Sequence, residues 1–177
     1  RNMRFMGSAS LYPHVQGMFS EFFVLGERQC YPVAGDVTLG ELAFAEPLAV
    51  ALHAIHRGTD LIGKSVLITG AGTIGCLTVI AARLAGAKSV TVSDILDRPL
   101  AQAREVGADR TLRADRDADA LATPQFDVCF EVSGSFAALK SCVAAAKRGG
   151  TIVQVGTLPH EPLPFVVNEL MAKQPDL

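Results

Sequence analysis

The chain has 177 residues, 49% of them hydrophobic, and a formal net charge of −2. That length holds one sizeable core, or one domain and a piece of another. The balanced charge leaves no electrostatic footprint for nucleic acid or a membrane surface, and no apolar stretch approaches the ~20 residues of a membrane span.

The chain starts Arg1-Asn2-Met3-Arg4, without an initiating Met and without the apolar core of a signal peptide. Residues 1 to 40 carry both tyrosines and β-like pieces such as MFSEFFVL between glycines, and no helical period is sustained there. Regular alternation begins after Gly40. ELAFAEPLAVALHAIHR (41–57) has the composition of a helix, with Pro47 near its start, where proline is tolerated. KSVLITG (64–70) is a β-branched run ending in glycine, and TIGCLTVIAARLAGA (73–87) is a helix apolar nearly all round, so it is expected to be deeply packed. SVTVSD (89–94) is a second strand, followed by an amphipathic helix, RPLAQAREVGA (98–108), closed by Gly107.

Residues 109–113 form a short strand, and DADALATP is a polar helix or turn ending at Pro124. FDVCFEVSG (126–134) is a strand, SFAALKSCVAAAKRGG (135–150) a helix, TIVQVG (151–156) a strand, and one more helix finishes before KQPDL. Strands separated by helices at this spacing indicate βαβ units on a parallel sheet. Cys30, Cys76, Cys129 and Cys142 form no CxxC pair, which argues against a zinc ribbon or redox motif. Cys76, Cys129 and Cys142 fall at apolar positions and read as buried free thiols, which suggests a reduced, intracellular setting.

The chemistry gathers at ITGAGTIGCL (68–77). Gly70 permits the tight turn, Gly72 lets backbone N–H groups approach a pyrophosphate, and Gly75 lets the helix pack against the strand. A pyrophosphate there would lie over a helix N-terminus, where unpaired N–H groups and the dipole favour negative charge. A plain strand-to-helix turn would use the same residues, so the context matters. The motif follows a strand, opens a helix, and is followed about 20 residues later by an acid, Asp94. Asp94 at a strand end can accept from both adenosine ribose hydroxyls and would repel a 2′-phosphate, favouring NAD over NADP. Its alternative role is a helix cap before ILDRPL. Arg98 could touch the adenosine ribose or phosphate, or remain solvated, which leaves room for NADP. A methyltransferase turn would carry an acid ahead of the glycines, and LITGAGTIG has none. A P-loop is excluded because no Gly-Lys-Ser/Thr follows.

FAEPLAVALHAIHRG, then GKSVLITGAGTIGCLTVIAARLAGAKSVTVSDI, with LAQAREVGAD, FDVCFEVSG and GGTIVQVG, resembles the medium-chain dehydrogenase/reductase family in its zinc-dependent polyol and sugar dehydrogenase branch. RNMRFMGSA, PHVQGMFSEF and FAEPLAVALHA look most like members that oxidise a sugar acid, L-idonate, at C5. The resemblance runs from about Gly17 to the end. It implies an α/β fold: a doubly wound parallel sheet (Rossmann type) over residues 47–177, preceded in 1–46 by the tail of a β-rich, GroES-like catalytic domain. Members are considerably longer, and their catalytic zinc ligands have no counterpart here. The chain therefore looks like a fragment, cut before the last strand of the nucleotide domain and inactive alone.

The resemblance also implies the site. Glu46, in AEPLA, matches a position at the catalytic metal, as a zinc ligand or as a partner of the zinc-bound water; its alternative is an acid favoured by the helix dipole. Gly70, Gly72, Thr73, Ile74 and Gly75 would hold the pyrophosphate, with Ile74 packing behind it. Ser133 and Gly134, and Val155 and Gly156, fall at strand C-terminal ends, the ligand edge of an open parallel sheet. Zinc would polarise the substrate hydroxyl, and the alkoxide would pass hydride to the nicotinamide. Family members often place an arginine one position after Arg98, where this chain has Pro99. His14, His53, His56 and His160 read as packing and surface residues, and DRDADA (115–120) as a solvated face. The expected setting is cytoplasmic, with a small polyol or sugar-acid substrate, no nucleic-acid or membrane partner, and a homo-oligomer. The rival readings are a dinucleotide-binding sensor without catalysis and a zinc-free quinone reductase, against which Glu46 argues.

Overall fold

The structure, a computed structural model, describes residues 6–7, 12–33, 35–162, 164 and 167–173. The chain divides into two compact units, Arg1–Thr38 and Leu39–Leu177. RNMRFMGSA therefore lies largely outside the described residues.

In the first unit the β-like reading of MFSEFFVL fails. The described residues there hold one short 3-10 turn, Glu27–Gln29, and no strand. An extended run needs a ladder partner to count as a strand, and here Phe19, Phe22 and Val24 are almost fully exposed.

In the second unit, α1 (Leu39–Leu42) and α2 (Ala45–Arg57) lead into the sheet, and Pro47 sits in the first turn of α2 as expected. Then β1 (Ser65–Thr69), α3 (Thr73–Leu84), β2 (Ser89–Asp94), α4 (Asp97–Glu105) and β3 (Arg110–Arg113) alternate. A 3-10 turn at Ala118–Leu121 precedes β4 (Phe126–Glu131), α5 (Phe136–Ala145), β5 (Ala146–Gln154) and α6 (Val167–Lys173). The five strands form one parallel sheet in the order β3-β2-β1-β4-β5. This is the doubly wound arrangement expected from the alternation.

Side chains alternate across each strand, so one strand feeds two cores. Val66 and Ile68 of β1, Val90 and Val92 of β2, and Val128 and Phe130 of β4 pack with α2, α3 and α4 on one face. Leu67, Cys129 and Ile152 pack with Cys142 and Val143 of α5 on the other. Phe130 has no exposed surface, and burying such a ring stabilises the fold by about 1.5–3 kcal/mol. Cys129 and Cys142 are buried thiols as expected, whereas Cys76 is half-buried. Cys142 and burial push the Cys129 thiol up.

One boundary is corrected. The helix expected over 135–150 stops at Ala145, and β5 begins at Ala146. Ala146 is extended (ψ 137°) and pairs with Phe126, and the Lys147 ammonium sits 2.7 Å from Asp127. Helix-forming composition in AKR thus yields to strand pairing and an ion pair. Gly149, at φ +70°, then turns the strand where a side chain would be strained.

Candidate functional site: a cleft at the C-terminal edge of the sheet

In an open parallel sheet the strand order reverses between two neighbouring strands, and their loops part to leave a crevice at the C-terminal edge. Here β1 leads outward to β2 on one side, and β4 lies on its other side. The crevice is a cleft of about 420 Å³ whose lining includes Gly70 after β1, Asp94 at the end of β2, Ala114 and Asp115 after β3, and Ser133 after β4.

The glycine turn is built as its three roles require. Gly70 has φ +96°, and a Cβ on it would come within 2.9 Å of the Ser133 nitrogen. Only a residue lacking a side chain lets the β1 turn and the β4 loop approach so closely. Gly75 is buried in the first turn of α3, where a Cβ would lie 2.0 Å from the Gly70 carbonyl oxygen. Gly72 differs: among the described residues, chain neighbours aside, a Cβ on it would meet no atom within 4 Å. It caps α3 and faces open space. The first N–H groups of a helix have no intrahelical acceptor, so the space beside Gly72 borders donors that an anion can fill. Thr73 is exposed and Ile74 half-buried in that same turn. The residues present therefore fit a dinucleotide's pyrophosphate.

Asp94 is half-buried at the end of β2. Its Oδ2 accepts the Ala71 N–H at 2.7 Å, and its Oδ1 accepts the Leu96 N–H at 2.9 Å. The carboxylate thus ties the glycine turn to the start of α4. Asp94 takes the expected position at the cleft, whereas the helix cap falls to Leu96 without a side-chain bond, and the bond from Leu96 to Asp94 closes a turn ahead of α4. Arg98 is exposed on the first turn of α4.

Behind Ser133 lies a residue that the sequence reading passed over. Glu131, the last residue of β4, is fully buried. Its Oε1 accepts the Ser133 N–H at 2.8 Å, the Ser133 hydroxyl at 2.5 Å and the Gly134 N–H at 3.1 Å. Its Oε2 accepts from the Gln154 amide at 2.5 Å. The Glu131 backbone carbonyl accepts the Val155 and Gly156 N–H groups at 2.8 and 2.9 Å. A Cβ on Gly156 would sit 2.2 Å from the Gly134 nitrogen, so the loops after β4 and β5 pack backbone to backbone. Gly134 and Gly156 therefore serve this packing, and Val155 lines a separate cavity of about 620 Å³ beside His53 of α2. An acid at the end of a strand, two residues before Ser133-Gly134, was the available signal.

Asp115 is exposed, as expected of DRDADA (115–120), and it also lines the cleft and pairs with Arg113. Arg113 holds the Asp115 carboxyl down at about 2.

Glu46 is exposed in the first turn of α2 and lines neither cavity. Among the described residues no three of His, Cys, Asp and Glu come together as a metal group. A zinc centre needs several such ligands, so the described residues do not by themselves fit one. Among the described residues no helix is long and apolar enough to cross a membrane.

The fold is shared with known proteins. The zinc-binding dehydrogenase family matches residues 73–177. L-idonate 5-dehydrogenase (NAD(P)(+)) of Escherichia coli strain K12 is 40% identical over 158 residues, covering 88% of this chain and 46% of that protein. Its crystal structure superposes with a TM-score of 0.92 at 38% identity, over 99% of this chain and 51% of the other. Sorbitol dehydrogenase of Pongo abelii is 34% identical, over 81% of this chain and 43% of that protein. A zinc-binding dehydrogenase of Sinorhizobium meliloti 1021, solved bound to NADP, matches with a TM-score of 0.82 at 32% identity, over 92% and 50% of the two chains. The chain spans about half the length of these relatives.

Proposed function

We propose, of a chain that belongs to the zinc-binding dehydrogenase family, that it carries the dinucleotide half of an oxidoreductase that transfers hydride from a secondary alcohol of a polyol or sugar acid to NAD. The observation that carries this reading is the glycine turn, with open space at Gly72 and enforced contact at Gly70 and Gly75.

The bound nicotinamide supplies the hydride acceptor. The chain's own residues would bind and orient it. N–H groups from Gly72 to Gly75 would hold the pyrophosphate, with Thr73 at the rim and Ile74 beneath. Asp94 would accept from the adenosine ribose, since each of its oxygens keeps a lone pair beyond the backbone bonds. Arg98 would border the adenosine end. Ser133 and Gly134, with Val155 and Gly156, would shape the wall toward the nicotinamide. Glu46 is the chain's candidate contribution to a zinc centre whose other ligands would come from elsewhere in the whole protein. Residues 1–46 would be the end of a GroES-like catalytic domain, and 47–177 the nucleotide domain. L-idonate is the favoured substrate because of the 40% identity to an enzyme named for it, with sorbitol the next choice. A cytoplasmic homo-oligomer completes the reading.

The test follows NADH formation by the whole protein with L-idonate, sorbitol, xylitol and threonine, before and after zinc chelation, with NADP in parallel. Turnover of the sugar acid that chelation abolishes is the expected result. Tight NAD binding with no turnover, whether or not zinc is present, would replace it with a non-catalytic dinucleotide-binding sensor.

A further inference from the structure

The adenosine end of the cleft carries an ion cluster that the dinucleotide reading does not use. Arg113, the last residue of β3, is the register partner of Asp94 on β2, so it stands beside the residue proposed to hold the ribose. Its side chain is 18% exposed. Asp115 grips it with two bonds, from Nε to Oδ1 at 2.8 Å and from Nη2 to Oδ2 at 2.7 Å. Asp97, on the first turn of α4, takes Nη1 at 2.8 Å. Every nitrogen of the guanidinium is thus engaged by a carboxylate. The neighbouring backbone is fastened as well: the Arg113 N–H donates to Asp117 Oδ2 at 2.8 Å, and the Ala114 N–H to the Asp94 carbonyl at 3.0 Å.

A guanidinium fork is the side chain best matched to a phosphate dianion, because it offers two parallel charged donors. The same fork closed on two carboxylates has its charge offset and three of its five donors taken. Asp115 meanwhile lines the cleft, so an added phosphate would approach a carboxylate before it reached Arg113. Arg98 and Arg116 are exposed near this rim, but neither has the register position beside Asp94 that Arg113 has.

We propose that Arg113 is the specificity-determining residue for the dinucleotide, and that Asp97 and Asp115 set the choice of NAD over NADP by occupying it. The inference rests on the dinucleotide reading above and deepens it: Asp94 repels a 2′-phosphate, while the two acids withhold the cation that would compensate. Removing their charge frees a phosphate-binding fork at the ribose without altering the glycine turn.

Calorimetric titration of the full chain with NAD+ and with NADP+ tests this, for the unaltered protein, for D97N/D115N, and for D97N/D115N/R113Q. The unaltered chain should bind NAD+ at least about tenfold tighter than NADP+, and D97N/D115N should narrow that ratio by about tenfold, the effect of ~1.4 kcal/mol. Adding R113Q should return the ratio to its starting side. A ratio that does not move in D97N/D115N overturns the proposal. So does a shift that survives R113Q, since removal of negative charge alone would then explain it. Equal binding of both dinucleotides by the unaltered chain overturns it too. If neither dinucleotide binds the unaltered chain, the dinucleotide reading itself fails, a result separate from these. Thermal melts of each variant confirm that the fold is kept.

Discussion

Gly72 and Gly75 lie three residues apart in one motif, yet their surroundings demand opposite outcomes. A methyl group at Gly75 would overlap the Gly70 carbonyl, so α3 or the β1 turn would have to shift. We expect Gly75→Ala to lose about 1–3 kcal/mol of stability, the scale of overpacking a filled site, seen as a lowered melting temperature. Gly72→Ala meets no atom of the described residues within 4 Å beyond its chain neighbours. Its melting temperature should stay near that of the unaltered chain, while NAD binding measured by calorimetry falls about tenfold or more. Equal binding by Gly72→Ala and the unaltered chain would mean that the turn holds no pyrophosphate. Glu131 makes a third case at this scale. Its carboxylate is surrounded by donors from Ser133, Gly134 and Gln154. In Glu131→Gln an NH2 group would face some of those donors, and lost charge-assisted bonds cost about 1.5–3 kcal/mol. Urea denaturation should report that loss. NAD binding should weaken with it, because the Ser133 loop that borders Gly70 loses its anchor.

At the scale of elements, the opposite end of the sheet is fastened by Asp127 on β4. Its Oδ2 accepts the Ser65 N–H at 2.8 Å and hydroxyl at 2.6 Å, and its Oδ1 pairs with Lys147 of β5. One carboxylate therefore joins β1, β4 and β5. Burial alone would push Asp127 up, but the bonds from Lys147 and Ser65 win and hold it at about 2. A folded pKa below the unfolded value, about 3.9, gives stability that is present above that value and lost as pH falls toward 2. Asp127→Asn should cost about 1–2 kcal/mol at pH 7, after allowance for solvent screening of a pair whose side chains are 32% and 46% exposed. The gap between the two proteins should close between about pH 4 and pH 2. A gap that is constant over that range would show that charge at Asp127 contributes nothing. This network also explains the misplaced boundary of α5. Periodicity reads local pattern, and the pairing of Ala146 with Phe126 and of Lys147 with Asp127 spans about 20 residues of sequence. What was legible had local causes: glycines with fixed backbone demands, β-branched runs, and an acid at a strand end. Glu131 and Arg113 were hidden because Gln154 and Asp97, which complete their bonding, are distant in sequence, and Asp115 because its place at the cleft depends on β3 lying beside β2.

On the scale of the whole molecule, the second unit holds a doubly wound sheet and a cleft that needs nothing beyond Leu39–Leu177 to form. On the proposed function, dinucleotide binding and catalysis are then separable. The glycine turn, Asp94 and Glu131 are all built from side chains and backbone of this chain, whereas Glu46 stands exposed and no metal group of three ligands forms among the described residues. Zinc holds its place through several ligands at once, and a lone carboxylate is too weak a site to retain it. Dialysis of this chain against a chelator should therefore leave both its melting temperature and its NAD affinity unchanged. The same treatment of the whole protein should abolish turnover, and Glu46→Gln there should lower turnover while NAD affinity is kept. A chain that lost NAD affinity on chelation would mean that a metal helps to build the cleft itself. That result would require ligands outside the described residues to reach the dinucleotide site, and it would overturn the division of labour drawn between cleft and metal.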